Sequence, residues 1–103
     1  MTYKFVITDR FYKDLDGVIH YISKVLGNSN AADNLLVDID KTFRNILENP
    51  FSYSASVDEK LSSDGYRRAK TKSYLIFYRI DSARNTIYII RMFLAKRDYS
   101  RLL

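Results

Sequence analysis

Two long apolar runs constrain the fold of this chain more than any other feature of its sequence. The first run covers residues 74–80 and the second covers residues 86–93, with a polar turn from Asp81 to Asn85 between them. Both runs are rich in aromatic and β-branched residues, and they are largely apolar at even as well as odd positions. Strands of this kind are buried on both faces, so we predict that the two runs form the centre of a sheet.

Two shorter segments complete the predicted sheet. Residues 3–7 favour a first strand, and residues 66–72 favour a strand that directly precedes the two long runs. Alternation along the latter strand separates Tyr66, Arg68, Lys70 and Lys72 on one face from Arg67, Ala69 and Thr71 on the other. The sequence does not determine strand register, so the face to which Arg79 and Arg91 point stays open.

Two amphipathic helices are predicted between the first and second strands. Apolar residues recur at three- and four-residue spacing over residues 11–26, and Gly27 supplies the stop. The second helix is predicted to have Asn30 as its cap, with Asp33 in the position of a capping-box acid, and to end at residues 49–50. Because only three residues separate the helices, we expect an antiparallel hairpin.

The resulting order, β-α-α-β-β-β, predicts an α+β fold in one domain over residues 1–103. The helix hairpin is expected to pack on one face of a small, mainly antiparallel sheet, and the opposite face is expected to be exposed. Residues 51–65 are rich in serine and are predicted to form a loop. Its expected anchors in the core are Phe51, Tyr53, Val57 and Leu61.

The composition excludes several classes of function. Cysteine is absent, which removes disulfides, thiolate metal sites and thiol nucleophiles, and the single histidine, His20, falls on the polar side of the first helix. The three glycines match no nucleotide-binding motif, and Asp14, Asp16 and Asp40 are expected on helix surfaces. We therefore predict neither a metal nor a cofactor. No apolar run approaches the roughly 18 residues that a membrane span needs, so we expect a cytoplasmic protein without membrane contact.

The charge is divided unevenly along the chain. Residues 1–60 hold seven basic and nine acidic side chains, whereas residues 61–103 hold ten basic and three acidic ones. The second part therefore carries all of the net charge of +5, and its natural partner is a polyanion such as nucleic acid or an acidic protein. The alternative is that these cations serve only solubility. If the protein is an enzyme, its chemistry must come from Arg, Lys and Tyr, which can promote RNA cleavage by the 2′-hydroxyl.

In their order and spacing, these residues resemble the RelE/ParE superfamily of bacterial type II toxin–antitoxin toxins over nearly the whole chain. The segments that carry the resemblance are Ile46-Leu47-Glu48-Asn49-Pro50, Gly65-Tyr66-Arg67-Arg68, Tyr74-Leu75-Ile76-Phe77-Tyr78-Arg79-Ile80-Asp81, Ile87-Tyr88-Ile89-Ile90-Arg91 and Lys96-Arg97-Asp98-Tyr99. The resemblance implies a growth-inhibiting toxin that a cognate antitoxin holds inactive by wrapping a partly disordered segment over its surface. It implies DNA gyrase as the target of ParE-like members and messenger RNA on the ribosome as the target of RelE-like and YoeB-like endonucleases.

The resemblance also assigns candidate site residues. For a nuclease it implies catalytic roles for Arg68, Lys70 and Arg97, with Tyr99 as a phenol near the tail. Three positions depart from the nuclease pattern. Relatives of that kind carry a lysine where this chain has Tyr66, an arginine where it has Leu75 and often a histidine where it has Leu94. The opening of the second helix, Asn30-Ala31-Ala32, also looks more like the ParE branch, so a gyrase-directed toxin is favoured over a nuclease.

A further set of basic residues is expected to contact the target, whichever target it is. These candidates are Arg67, Lys72, Arg79, Arg91 and Lys96. A non-toxic nucleic-acid-binding module remains a third possible function, with the affinity for nucleic acid falling steeply with salt.

Overall fold

The computed structural model describes residues 2–53, 63 and 65–95. The elements are β1 (Lys4–Ile7), α1 (Asp9–His20), a π-helical turn (Tyr21–Val25), α2 (Ser29–Glu48), β2 (Tyr66–Thr71), β3 (Tyr74–Asp81) and β4 (Thr86–Leu94). The sheet has the order β1-β4-β3-β2, with β1 parallel to β4 and the other pairs antiparallel. The α+β fold is therefore confirmed, and so is the central position of the two long apolar runs.

One face of the sheet carries the main core. Alternate residues of β3 and β4 point towards the helices, and Phe11 of α1 and Leu35 of α2 are buried against them. The strand residues of this core are Ala69, Ile76, Tyr78, Ile80, Ile87, Ile89 and Met92. A register shift between Phe77 and Tyr78 leaves Ile90 as an extra residue in β4, a β-bulge that lets both halves of the strand present apolar side chains to the helices.

The helix boundaries differ from the prediction at two points. The chain is α-helical only to His20, and residues 21–25 widen into a π-helical turn before the left-handed Gly27. The second helix begins at Ser29, because the Oδ1 atom of Asn28 accepts a hydrogen bond from the Ala31 N–H at 3.0 Å. The predicted cap at Asn30 is therefore wrong, since an asparagine two residues earlier already satisfies the first turn.

The two ends of the helix hairpin are fastened to the strands by polar contacts. Thr8 caps α1 by accepting from the Phe11 N–H, and its hydroxyl donates to the Ile90 carbonyl at 2.7 Å. At the other end, the buried Tyr78 hydroxyl donates to the Pro50 carbonyl at 2.6 Å. These bonds fix where the chain enters the first helix and where it leaves the second.

The opposite face of the sheet is not the exposed surface that we predicted. Leu75, Phe77 and Phe93 lie on it, and all three are buried in a second, smaller apolar cluster. The Phe77 and Phe93 rings pack 5.9 Å apart, because strand pairing brings neighbouring positions of β3 and β4 together. We call this side of the sheet the outer face.

The predicted anchors of the loop after α2 have different outcomes. Tyr53 is confirmed, since its ring packs edge-on against Tyr78 at 6.3 Å and borders the main core. Phe51 is mostly exposed, so its prediction as a core anchor is wrong. Val57 and Leu61 lie outside the described residues.

Candidate functional site

Strand pairing arranges the outer face in three rows that run across β2, β3 and β4. The pairing partners in these rows are Tyr66, Arg79 and Tyr88, then Arg68, Phe77 and Arg91, then Lys70, Leu75 and Phe93. Directly paired residues project on the same face of a sheet. The register therefore places four of the candidate cations, Arg68, Lys70, Arg79 and Arg91, on one surface with two tyrosines.

Arg68 and Lys70 line a shared depression at the β2 edge of the outer face. This depression has a volume of about 400 Å³, and Ser52, Tyr53 and Leu75 complete its lining. Two cations two residues apart on one strand, beside a hydroxyl group, form an arrangement that suits an anion such as a phosphate. The pair that the resemblance assigned to a nuclease is thus brought together here.

Arg91 is also on the outer face, but its guanidinium is turned to the edge of the sheet. It donates two hydrogen bonds to the Asp14 carboxylate, at 2.9 and 3.1 Å, and both side chains are less than one-fifth exposed. The hydrogen bonds with Asp14 raise the pKa of Arg91 above its ordinary value. Its guanidinium lies 4.5 Å from the Phe93 ring centre. These contacts give Arg91 a structural role at the edge of the sheet.

Asp14 does not lie on an exposed helix surface as predicted, because it faces β4. Its carboxylate also accepts from the backbone N–H of Met92 at 3.0 Å, in the part of β4 that continues beyond its partner strand β1. A signal for this role exists in the sequence, because Asp14 stands three residues after Phe11 and four before Val18, which both belong to the apolar stripe. An acid on that stripe faces the sheet.

Two other predicted target contacts point away from the outer face. Arg67 faces the helix side, where its Nη1 atom donates to the carbonyls of Tyr53 at 2.5 Å and Phe51 at 3.3 Å. Lys72 follows the end of β2 in a turn with a left-handed φ of +53°, and its Nζ lies 3.0 Å from an Asp38 oxygen on α2. The prediction that Lys72 shares a face with Arg68 is therefore wrong, because the turn reverses the alternation of the strand.

The remaining candidate residues belong to the C-terminal segment. Lys96, Arg97 and Tyr99 lie outside the described residues. In the part of the chain that the structure describes, no group of three or more His, Cys, Asp and Glu side chains is placed to hold a metal ion. Within the same residues, no helix has the length and apolar character needed to span a membrane. The described site is thus a cationic and aromatic surface that suits binding of an anionic partner.

The fold and the basic outer face agree with the resemblance to RelE/ParE toxins that the sequence shows. The family model for the ParE toxin of the type II toxin–antitoxin system parDE matches residues 5–99, and the chain belongs to this family. The resemblance drawn from the sequence is confirmed by this match. No curated protein sequence is significantly similar to the chain.

Solved structures share the fold at low sequence identity. A chain of the chromosomal ParDE system from P. aeruginosa superposes with a TM-score of 0.70 and 18% identity, over 92% of this chain and 98% of that chain. E. coli toxin RelE, in a mutant free form, gives 0.65 and 17% over the full length of both chains. A chain of the RelBE2 toxin–antitoxin complex from Mycobacterium tuberculosis gives 0.61 and 19%, over 91% and 99%.

Proposed function

We propose that this toxin arrests growth by poisoning DNA gyrase and that a cognate antitoxin holds it inactive. Leu75 is the observation that carries the choice of target. It stands where RelE-like nucleases carry an arginine, and it is 8% exposed in an apolar cluster with Phe77 and Phe93. An isobutyl group cannot stabilise the charge that develops on a phosphate during RNA cleavage. The outer face therefore has an apolar centre where a nuclease needs a cation.

Two further positions support the same choice. Tyr66 replaces a lysine of the nuclease pattern and pairs with Arg79, and Leu94, at the end of β4, stands where many such relatives carry a histidine. A leucine has no proton to give to a leaving group, so the general acid of a nuclease is missing at this position. The match to the ParE toxin family model supports a ParE-like function.

A ribosome-dependent messenger-RNA endonuclease is the second candidate function. The observation that favours it is the depression of about 400 Å³ that Arg68 and Lys70 share with Ser52 and Tyr53. These groups would bind and orient an RNA phosphate, and Arg97 matches the C-terminal arginine of such relatives in sequence. A basic module that binds nucleic acid without toxicity is the third candidate, and it has support only from the charge of residues 61–103.

The test is induced expression of the full chain in a bacterial host. Growth, transcript integrity and a DNA-damage reporter are followed together, and the purified protein is incubated with gyrase and supercoiled plasmid. Gyrase poisoning predicts growth arrest, intact transcripts, an active reporter and linear plasmid after protein removal. Growth arrest with cleaved transcripts would instead establish the nuclease, and normal growth with abundant folded protein would exclude a toxin.

Two alanine variants sharpen this test. Arg68→Ala removes a cation from the outer face, whereas Arg44→Ala removes one from the exposed side of α2, where Arg44 pairs with Asp40 at 3.1 Å. If the outer face contacts the target, Arg68→Ala should slow the arrest or the plasmid cleavage, and Arg44→Ala should leave both unchanged. Equal effects of the two variants would show that net charge alone matters.

A further inference from the structure

The chain directly after α2 is fastened to the sheet through its backbone carbonyl groups. The Pro50 carbonyl accepts a hydrogen bond from the Tyr78 hydroxyl of β3. The Nη1 atom of Arg67 on β2 donates to the carbonyls of Phe51 and Tyr53. These carbonyls lie outside helices and strands, so they need donors from elsewhere in the fold. Side chains of two strands therefore set the path of the chain here.

Arg67 holds the peptide units on both sides of Ser52. Its Nη1 atom lies 3.3 Å from the Phe51 oxygen, and it also bonds to the Tyr53 oxygen. The Phe51 ring adds a cation–π contact, since its centre lies 5.0 Å from the Cζ atom of Arg67. A planar guanidinium can make these contacts together, because its N–H groups and its flat face point in different directions. We call residues 50–53 the post-helix segment.

The post-helix segment also borders the depression on the outer face. β2 is an edge strand of the sheet, with Arg67 on the helix side and Arg68 on the outer side. Ser52 and Tyr53 line the depression of about 400 Å³, and Arg68 and Lys70 line it from β2. The segment therefore lies along the edge of β2, where Arg67 holds it from one side and the depression opens on the other.

The chemistry of this depression suits a phosphate. Arg68 and Lys70 are two residues apart on one strand, so their Cα atoms are about 7 Å apart and their side chains project the same way. No acidic side chain is among the described residues that line the depression, and Leu75 supplies its apolar side. Two long cationic side chains hold an anion loosely in open water, whereas a wall beside them limits its positions and excludes solvent. The post-helix segment supplies such a wall.

We infer that Arg67 is a positioning residue for binding of the target, and not a contact with it. It holds the post-helix segment as a wall of the depression in which Arg68 and Lys70 bind a backbone phosphate of DNA. The choice of DNA rests on the proposed function, because gyrase acts on DNA, whereas the role of Arg67 rests on its own contacts. Without the guanidinium, two carbonyls lose their donor, the wall shifts, and the phosphate is held less tightly.

The test separates a residue that touches a phosphate from one that positions the site. A fluorescein-labelled DNA duplex of about 20 base pairs is titrated with the full chain, and the association constant is measured by fluorescence anisotropy at several salt concentrations. The slope of log K against log salt reports the number of phosphates that the protein neutralises, at about 0.9 per phosphate. Loss of a phosphate contact should reduce both the affinity and the size of the slope, whereas loss of a positioning residue should reduce the affinity alone.

Three variants apply this test to the edge of β2. Arg67→Met keeps much of the apolar stem and removes the donors, so it should weaken DNA binding about threefold to tenfold at fixed salt with the slope unchanged. Arg68→Ala should weaken binding at least as much and should reduce the size of the slope by about one. Arg67→Lys keeps the charge but loses the planar fork, so it should also weaken binding without a change in slope.

Arg44→Met is the matched control for the loss of one charge. Arg44 lies on α2, its side chain is 75% exposed, and it does not line the depression. The same chemical change at this position should alter DNA binding by less than about twofold. Circular dichroism and urea unfolding give the fraction of each variant that is folded at the assay temperature, so loss of binding is separated from loss of folding.

A double variant tests whether Arg67 acts through the depression. In the Arg68→Ala background, Arg67→Met should weaken binding by less than about twofold more, because the cation beside the wall is already gone. If Arg67 only stabilised the fold, its replacement would have the same effect in both backgrounds, and this result would overturn the inference.

Other outcomes would overturn it as well. A slope that falls by about one in Arg67→Met would make Arg67 a phosphate contact, and equal losses in Arg67→Met and Arg44→Met would leave only net charge. Tighter binding of single-stranded RNA of the same length would overturn DNA as the source of the phosphate. Wild-type protein that poisons gyrase but does not bind the duplex at about 50 mM salt would overturn this inference alone. Duplex binding with the expected variant effects, but without gyrase poisoning, would instead overturn the proposed function.

Discussion

On the helix side of the sheet, Ile76, Tyr78 and their neighbours pack against two helices in one continuous core. On the outer side, the alternate residues Leu75 and Phe77 are also buried, but in a small cluster with Phe93. Cationic side chains surround this small cluster, with Arg68 and Lys70 on β2 and Arg91 on β4. Burial of a side chain therefore does not by itself separate the structural face of the sheet from its candidate functional face. The two faces differ in what surrounds their apolar residues, which is a pair of helices on one side and cationic side chains on the other.

The largest expected effect comes from two adjacent residues of β3 that face opposite ways. Ile76→Ala should lower the free energy of unfolding by about 2–5 kcal/mol, because it leaves a cavity beneath both helices. Leu75→Ala should cost about 2 kcal/mol or less, because its smaller cluster can collapse around the change. Urea unfolding curves measure both values. Equal costs would mean that the outer cluster supports the fold as strongly as the main core does.

The second prediction concerns the edge of the sheet where the two faces meet. Asp14→Ala removes the acceptor of the Met92 N–H and the ionic partner of Arg91, so we expect a loss of about 1–3 kcal/mol. Asp16→Ala, two residues along the same helix on its exposed side, should change stability by less than about 0.5 kcal/mol. Thermal unfolding of the two variants compares them. Similar melting temperatures of the two variants would show that Asp14 contributes no more to stability than an ordinary surface carboxylate does.

The smallest expected effect comes from the hydroxyl that fastens the end of α2. Tyr78→Phe removes the bond to the Pro50 carbonyl and should cost about 1 kcal/mol at neutral pH. Burial raises the pKa of Tyr78 above its ordinary value. The folded state therefore keeps a proton that the unfolded chain loses above about pH 10, and stability falls as the pH rises through that range.

The Tyr78→Phe variant has no phenol at this position, so it should not show this part of the loss of stability at alkaline pH. The free energies of unfolding of the variant and the wild type should therefore become more similar as the pH rises. The measurement is urea unfolding at several pH values between about 8 and 11, with Tyr88→Phe on the outer face as the control variant. A constant difference between the Tyr78 variant and the wild type across this range would contradict the assigned burial of the phenol.

Much of the fold can be predicted from local sequence patterns, without any tertiary information. The period-two alternation of residues 66–71 correctly divided Arg68 and Lys70 from Arg67 and Ala69, because a strand leaves each residue only two directions. The prediction failed for Lys72, where a left-handed turn residue changes the direction of the side chain. The prediction of a helix cap at Asn30 also failed. Asn28 and Asn30 both match the residue preference of a cap position, and the structure uses Asn28.

The candidate site, too, has features that the sequence predicts and features that only tertiary contacts show. The sequence identified Arg68 and Lys70 as candidates, and the uneven charge pointed to the surface that carries them. Neither feature indicates that Arg91 is held by Asp14, since that pair joins residues 77 positions apart. Leu75 was identified as a departure from a nuclease pattern. Only the pairing of β3 with β4 shows that it belongs to a buried apolar cluster.

The order of the elements, the two central strands and the cationic character of the second half of the chain all follow from the sequence without tertiary information. These depend on composition and on residue spacing within a single element. Tertiary contacts decide which cations share a surface, which of them are bound to carboxylates and carbonyls, and where α1 takes the place of β1 beside the end of β4. Those facts depend on strand register, on one β-bulge and on the early end of β1, all of which arise from contacts between distant parts of the chain.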